Sequence, residues 1–216
     1  MRPTPPSDSL QPAKLEPSPL LLAFFLRDPR IVGKELLGKL LVRRLGNKIL
    51  MGRVVETEAY LGKNDPAAHS ASGRTARNAV IFGPPGHAYV YFIYGMHFCL
   101  NVSCLPDGEA GGVLFRALEP VMGIEAMAEA RGLTHKPLGE THFRLLTNGP
   151  SRLAQAFGIT RIDDNGIDLC DSTGKLWLAD DGFRPGKIRS APRVGISKAV
   201  ERKLRYLIDG NPFVSR

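Results

Sequence analysis

The chain has 216 residues, 43% of them hydrophobic and 23% charged, which suits one large domain with an ordinary globular core and leaves a tight fit for two. Lys and Arg outnumber Asp and Glu by 29 to 21, a net charge of +8, and such a surplus favours a polyanionic partner, nucleic acid ahead of an anionic membrane, with a merely basic soluble enzyme as the alternative that charge alone leaves open. Three cysteines (Cys99, Cys104 and Cys170) with no Cys-x-x-Cys pair speak against a disulfide framework and a structural zinc site, and the longest apolar run, Leu20 to Leu26, is too short to cross a bilayer and lacks the cleavage site of a secretory signal.

Residues 1–19 carry six prolines and read as a flexible or extended tail, because proline fixes φ and removes amide donors. The remainder, 20–216, reads as one domain. Asp28-Pro29 has the form of a helix N-cap followed by proline at the first helical position, with Gly38 as the stop. From Leu40 the pattern changes to strand, and Gly46-Asn47 reads as the turn of a hairpin whose second strand runs from Ile49 to Tyr60. Residues 61–86 are polar and rich in Gly and Pro, and read as a long irregular segment of the kind that often carries function. Tyr89 to Ser103 reads as a hairpin bent at Tyr94-Gly95, and Val113 to Leu118 as a short strand. Glu119-Pro120 is expected to open a helix ending near Gly132, Thr134 to Arg144 to form a surface loop, and Pro150 to Phe157 to form a helix. Short strands are expected around 167–169, 175–178 and 205–208. The mixture predicts an α+β fold: a single mixed domain with a curved, largely antiparallel sheet and flanking helices.

Strand alternation places Glu56, Glu58 and Tyr60 on one face, with the two carboxylates roughly 7 Å apart. Read alone, the pair fits an exposed, solvated face, a buried site, or, with His69, a metal-dependent hydrolase, although the spacing matches no metal motif. Tyr89 and Tyr91 share a face, and a tyrosine there either packs on the sheet or stacks on a base. Tyr94, at the hairpin tip of a basic protein, suggests a wedge between bases. Arg116 lies in an apolar strand and needs an anionic partner, carboxylate or phosphate, unless it faces solvent. Arg74, Arg77, Lys187, Arg189, Arg193 and Lys198 are candidate phosphate contacts.

These pieces occur in one order: Glu-Thr-Glu-Ala-Tyr-Leu-Gly (56–62), Asp-Pro-Ala-Ala-His-Ser (65–70), Tyr-Val-Tyr-Phe-Ile-Tyr-Gly-Met (89–96), Asn101, Val-Leu-Phe-Arg-Ala-Leu-Glu-Pro (113–120) and Gly149-Pro150-Ser-Arg-Leu. Together they closely resemble the alkyladenine (3-methyladenine) DNA glycosylase family, from about Leu36 onward. His97 departs from the pattern, which has an aromatic there, and the stretch from Thr134 to Leu146 has no matching motif. The resemblance implies excision of alkylated or deaminated purines (3-methyladenine, 7-methylguanine, hypoxanthine, ethenoadenine) from double-stranded DNA, without metal or cofactor and without strand nicking. It implies Glu58 as the base that activates water, with Arg116 beside it; Tyr60, His69 and Tyr91 around the flipped base; Asn101 against the guanine amino group; and Tyr94 intercalated from a DNA-inserting β-hairpin. A monomer is expected, cytoplasmic and nucleoid-associated in a bacterium or nuclear in a eukaryote, with no membrane partner. The competing readings are a non-catalytic nucleic-acid-binding domain on the same scaffold and the metal-dependent hydrolase.

Overall fold

The computed structural model describes residues 17–93, 95–133 and 139–215. In chain order the elements are β1 (Ser18–Pro19), α1 (Leu22–Phe25), α2 (Pro29–Glu35), β2 (Leu40–Leu45), β3 (Lys48–Tyr60), β4 (Ala88–Ile93), β5 (His97–Ser103), β6 (Gly112–Met122), α3 (Ile124–Ala130), α4 (Glu140–Arg144), α5 (Pro150–Ala156), α6 (Arg161–Asp164), β7 (Leu176–Asp180), β8 (Ile188–Ala191) and β9 (Arg205–Ile208). The strands form one antiparallel sheet in the order β1-β7-β2-β3-β6-β5-β4, with β9 on β3 and β8 on β9. This is the α+β fold with a curved antiparallel sheet that the patterning predicts.

β3 organises the sheet. Its first half pairs with β2 across the turn at Gly46, which takes φ +56°, and its second half pairs with β9 on the same edge. On the other edge the register with β6 slips between Val54 and Glu56 and slips back between Glu56 and Thr57. Val55 and Arg116 are thereby left without facing residues. A bulge of this kind bends the strand and re-aims side chains, and it falls where the carboxylates and the arginine sit.

Helix α2 begins as predicted: Asp28 Oδ1 accepts the Arg30 amide at 2.7 Å, Pro29 occupies the first turn, and Gly38 follows at φ +90°. Thr57 Oγ1 donates to Gly33 O at 2.7 Å, which docks α2 on β3. One face of the sheet is covered by α1, α2, α3 and α5 around Phe25, Val32, Leu36, Leu50, Phe115, Leu118 and Phe157, all inaccessible to solvent. The other face curves around the cavity described below.

Four expectations are corrected. Glu119-Pro120 does not open a helix: β6 continues to Met122, and α3 starts only after Gly123, whose φ of +79° breaks the strand. Residues 140–144 form α4 and not a surface loop, while 134–138 lie outside the described residues. Around 167–169 there is a single bridge, Asp168 to His87, in place of a strand. Ser18 and Pro19, at the end of the proline-rich stretch, are extended but held to Asp180 and Ala179 as an edge strand, a position where proline costs no ladder bond. The rest of that stretch, 1–16, lies outside the described residues, as does Tyr94.

Candidate active site

Four strands offer alternate positions to one concave face. β4 supplies Tyr89, Tyr91 and Ile93; β5 supplies Cys99 and Asn101; β6 supplies Gly112, Leu114 and Arg116; β3 supplies Tyr60. The ladder sets Tyr89 opposite Asn101, Tyr91 opposite Cys99 and Asn101 opposite Leu114. The period-2 rule therefore gathers side chains from Tyr60 to Arg116 into one surface. The intervening positions Val90, Leu100, Val113 and Phe115 point into the core. Residues 66–70, 194–198 and the start of α5 (Pro150, Ser151) complete the walls of a cavity of about 590 Å³, within the range of small-molecule sites.

The rings of His69 and Tyr91 meet edge to face at 4.5 Å between centroids, and Tyr89 and Tyr91 lie 5.5 Å apart at 31°. His69 Nδ1 lies 3.1 Å from the Tyr89 hydroxyl. Burial, helped by the nearby Arg77 guanidinium, lowers the His69 pKa and favours the neutral ring. Burial likewise raises the Tyr91 phenol and pushes the Cys99 thiol up to about 11, so both stay protonated. Asn101 Nδ2 donates to Tyr89 O at 3.2 Å, which fixes the amide on the cavity wall.

Glu58 is fully buried directly behind this wall. Its Oε1 accepts the Val194 amide at 2.8 Å and faces Arg116 Nη1 at 3.1 Å; its Oε2 accepts the Tyr60 hydroxyl at 2.9 Å. All three partners line the cavity. Burial raises the Glu58 pKa and the neighbouring Glu56 charge adds to it, while Arg116, the Val194 amide and the Tyr60 hydroxyl hold it back. Burial and the Glu58 charge also raise the Tyr60 pKa, which keeps the hydroxyl a donor. A carboxylate has about four acceptor positions; the Val194 amide and the Tyr60 hydroxyl fill one on each oxygen, and the Arg116 ion pair lies at Oε1. Oε2 keeps an open position beside Tyr60.

The structure thus brings together Glu58, Arg116, Tyr60, His69, Tyr91 and Asn101. Arg116 finds carboxylates as its anionic partners. Lys198 lies at the cavity, exposed; Arg74 and Arg77 are exposed on the 71–78 loop. Asn78 knots that loop: it donates to His69 O and Gly73 O, each at 3.0 Å, and accepts the Thr75 amide at 2.7 Å. Arg193 is corrected. It is not a surface phosphate contact but fully buried at its side chain, bound to Asp65 at 2.5 and 2.7 Å and to Ala59 O at 2.9 Å, and set 4.6 Å from the Tyr60 ring centre. Asp65 also accepts the Leu61 and Ala67 amides. The pair ties the two loops that wall the cavity and so delivers the Val194 amide to Glu58. Periodicity had no means of finding this bridge, because its partners lie 128 residues apart. Cys99 and Leu114 were legible as strand positions in phase with Asn101 and Arg116, though nothing in the sequence alone marked them as cavity residues. Among the described residues no group of three or more His, Cys, Asp or Glu side chains is placed to hold a metal ion.

Such a wall of aromatic rings with a masked carboxylate suits a flat, electron-poor ring system. The profile of the Methylpurine-DNA glycosylase (MPG) family matches residues 23–212. The chain is 61% identical over 198 residues, covering 92% of its length and 93% of the relative's, to a Koribacter versatilis protein named "Putative 3-methyladenine DNA glycosylase". Proteins of the same name are 46% identical in Burkholderia lata, over 89% of each chain, and 44% identical in Clostridium botulinum, over 89% of this chain and 96% of that one. The chain belongs to the methylpurine-DNA glycosylase family, and the substrate class of that family is DNA.

Proposed function

We propose that the protein excises alkylated and deaminated purines from double-stranded DNA as a monomer: 3-methyladenine, 7-methylguanine, hypoxanthine and ethenoadenine. The lesion is flipped into the aromatic cavity and its N-glycosidic bond hydrolysed with a water activated by Glu58. The observation that carries this reading is Glu58 itself, a buried carboxylate bound, among the described residues, by three groups that line the cavity, Tyr60, Arg116 and Val194.

Extrusion of a base costs a few kcal/mol, less for a damaged one; the β4–β5 hairpin exposes Phe92 and Met96, and Tyr94, between them in sequence, is the residue expected to fill the gap in the stack. Alkylation at a ring nitrogen makes the purine cationic. The faces of Tyr60 and Tyr91 attract such a cation, and a neutral His69 does not repel it. The cationic base is already a good leaving group, so no strong general acid is required. Asn101, whose amide is pinned by the Tyr89 carbonyl, discriminates in this reading against the guanine 2-amino group. As the bond to C1′ breaks, the sugar gains oxocarbenium character. Glu58 stabilises that charge and takes the proton of the attacking water. The attacking water takes the open acceptor position on Oε2, beside the Tyr60 hydroxyl. A pKa raised toward the working pH suits this role.

The test is release of free base from duplexes carrying hypoxanthine, ethenoadenine or random methylated purines, in EDTA. Wild type should release base, and Glu58→Gln should lose on the order of 100-fold or more in single-turnover rate while still binding lesion DNA. No release from any duplex, with binding intact, would establish the non-catalytic binding domain instead; loss of release in EDTA would favour the metal hydrolase. Among the described residues Lys198 is the one lysine lining the cavity, so strand nicking or borohydride trapping abolished by Lys198→Ala would overturn the expectation of a hydrolase without lyase activity.

A further inference from the structure

Glu56 is fully buried one alternation before Glu58, and neither the cavity nor the proposed chemistry uses it. Four donors converge on it. Arg116 Nε, Arg205 Nη1 and Ser215 Oγ each lie 3.0 Å from Oε1, and the Ser215 amide donates to Oε2 at 2.6 Å. Arg116 in turn has all three nitrogens assigned: Nε to Glu56, Nη1 facing Glu58 at 3.1 Å, and Nη2 to Ser215 Oγ at 3.2 Å. A planar guanidinium held at three points has no freedom to rotate. The segment that brings Ser215 here is itself anchored. Asn211 Nδ2 donates to Glu119 Oε2 at 3.0 Å, and Phe213 is buried against Val55 and Ala117 and meets the Phe143 ring edge to face at 5.3 Å. These anchors sit on the two strands where the register slips, the same slip that frees Arg116 from a facing residue.

We propose that Glu56 and Ser215 form a positioning device that fixes Arg116 against Glu58 and shares its charge. The proposal rests on the reading of Glu58 as the general base. An arginine bound to one carboxylate alone would hold that carboxylate ionised and weakly basic; dividing the guanidinium between Glu56 and Glu58 leaves Glu58 more basic. The Tyr60 hydroxyl and the Val194 amide also bind Glu58, and Arg193 and Cys99 act on it electrostatically from nearby; Arg205, opposite Glu58 in the β3–β9 ladder, turns its guanidinium to Glu56 and the Pro192 carbonyl. The burial-driven rise in the Glu58 pKa, to which Glu56 contributes, agrees with this division.

Three variants test it. Ser215→Pro removes both donors, Ser215→Thr keeps both, and Glu56→Gln removes the shared charge. Single-turnover base release should fall on the order of tenfold in Ser215→Pro, with lesion-DNA affinity retained and Ser215→Thr like wild type. In Glu56→Gln the acid limb of the rate should move down by roughly half a pH unit or more, and ¹³C titration of the Glu58 carboxyl should move with it. The Arg116 Nε–H, slow to exchange with water in wild type, should exchange faster in Ser215→Pro. Unchanged rate, Nε–H exchange and Glu58 titration in folded variants would overturn the proposal, as would a loss of rate in Ser215→Pro that only tracks a loss of DNA affinity. Should Glu56→Gln fail to fold, Ser215→Pro decides alone. Should wild type release no base, the functional reading fails, and the Nε–H exchange and carboxyl titration still decide whether Glu56 and Ser215 hold Arg116.

Discussion

At the scale of single residues, two carboxylates a few residues apart are driven in opposite directions. Burial raises Glu58 above the ordinary carboxylate range. A base must be ionised to accept a proton, so base release should begin to fall, on the acid side, at a pH above about 4.3, and a pH profile of single-turnover rates will show it. Burial also acts to raise Asp65, but the hydrogen bonds and charge of Arg193 and the amides of Leu61 and Ala67 outweigh it and hold Asp65 below its ordinary value. A depressed carboxylate pKa stabilises the fold at all pH values above the unfolded pKa, and that contribution is lost as the pH falls below about 4 through the folded pKa. The two effects therefore separate: activity declines first, stability later. Asp65→Asn leaves the Arg193 charge buried and unpaired, so it should cost about 3 kcal/mol or more in denaturant unfolding. Wild-type stability in the variant would show that the loops are held together by other contacts.

At the scale of elements, the cavity depends on how the chain leaves β3. Gly62, just past Tyr60, takes φ +73°, and a Cβ there would lie 1.9 Å from the Ala110 carbonyl oxygen. Gly62→Ala should therefore destabilise by about 2 kcal/mol or more and disturb the 62–70 loop that carries Asp65 and His69. Gly46→Ala, at φ +56° with nothing within 4 Å, meets only the left-handed penalty of about 1 kcal/mol. Thermal unfolding of the two variants compares them directly; equal losses would mean that the approach of Ala110 is not a constraint. The β2–β3 and β4–β5 hairpins and α2 were legible because their turn and cap residues act locally. The helix placed at Glu119-Pro120 was not, since proline at a helix start looks the same as proline in a strand whose amide is not needed; β6 runs on until Gly123 breaks it.

At the scale of the molecule, the net charge of +8 has its partner in DNA. Affinity should fall by roughly one log unit per log of salt for each phosphate contacted. Arg74→Ala and Lys198→Ala, both exposed, should each reduce that slope by about one, whereas Arg193→Ala should act through stability and leave the slope of the folded protein unchanged. A titration of duplex affinity against salt separates these cases, and a flat response would contradict a complex held by phosphates. No helix among the described residues is long and apolar enough to cross a membrane.

The sequence by itself determined the family, the α+β class, the strand bearing Glu56, Glu58 and Tyr60, and the tyrosine hairpin. Each of these is written in local terms: alternation along a strand, glycine at a turn, an acid and a proline at a helix start, and motifs of a few residues in fixed order. Only the tertiary structure decided the partners of the charges. Arg193 looked like surface charge until Asp65 met it 128 residues away; for Arg116 the strand alone left carboxylate, phosphate and solvent open, and the fold closed Glu56, Glu58 and Ser215 around it. Charge pairing in a buried site depends on which strands the sheet brings side by side and where its register slips, and a single strand carries no record of either.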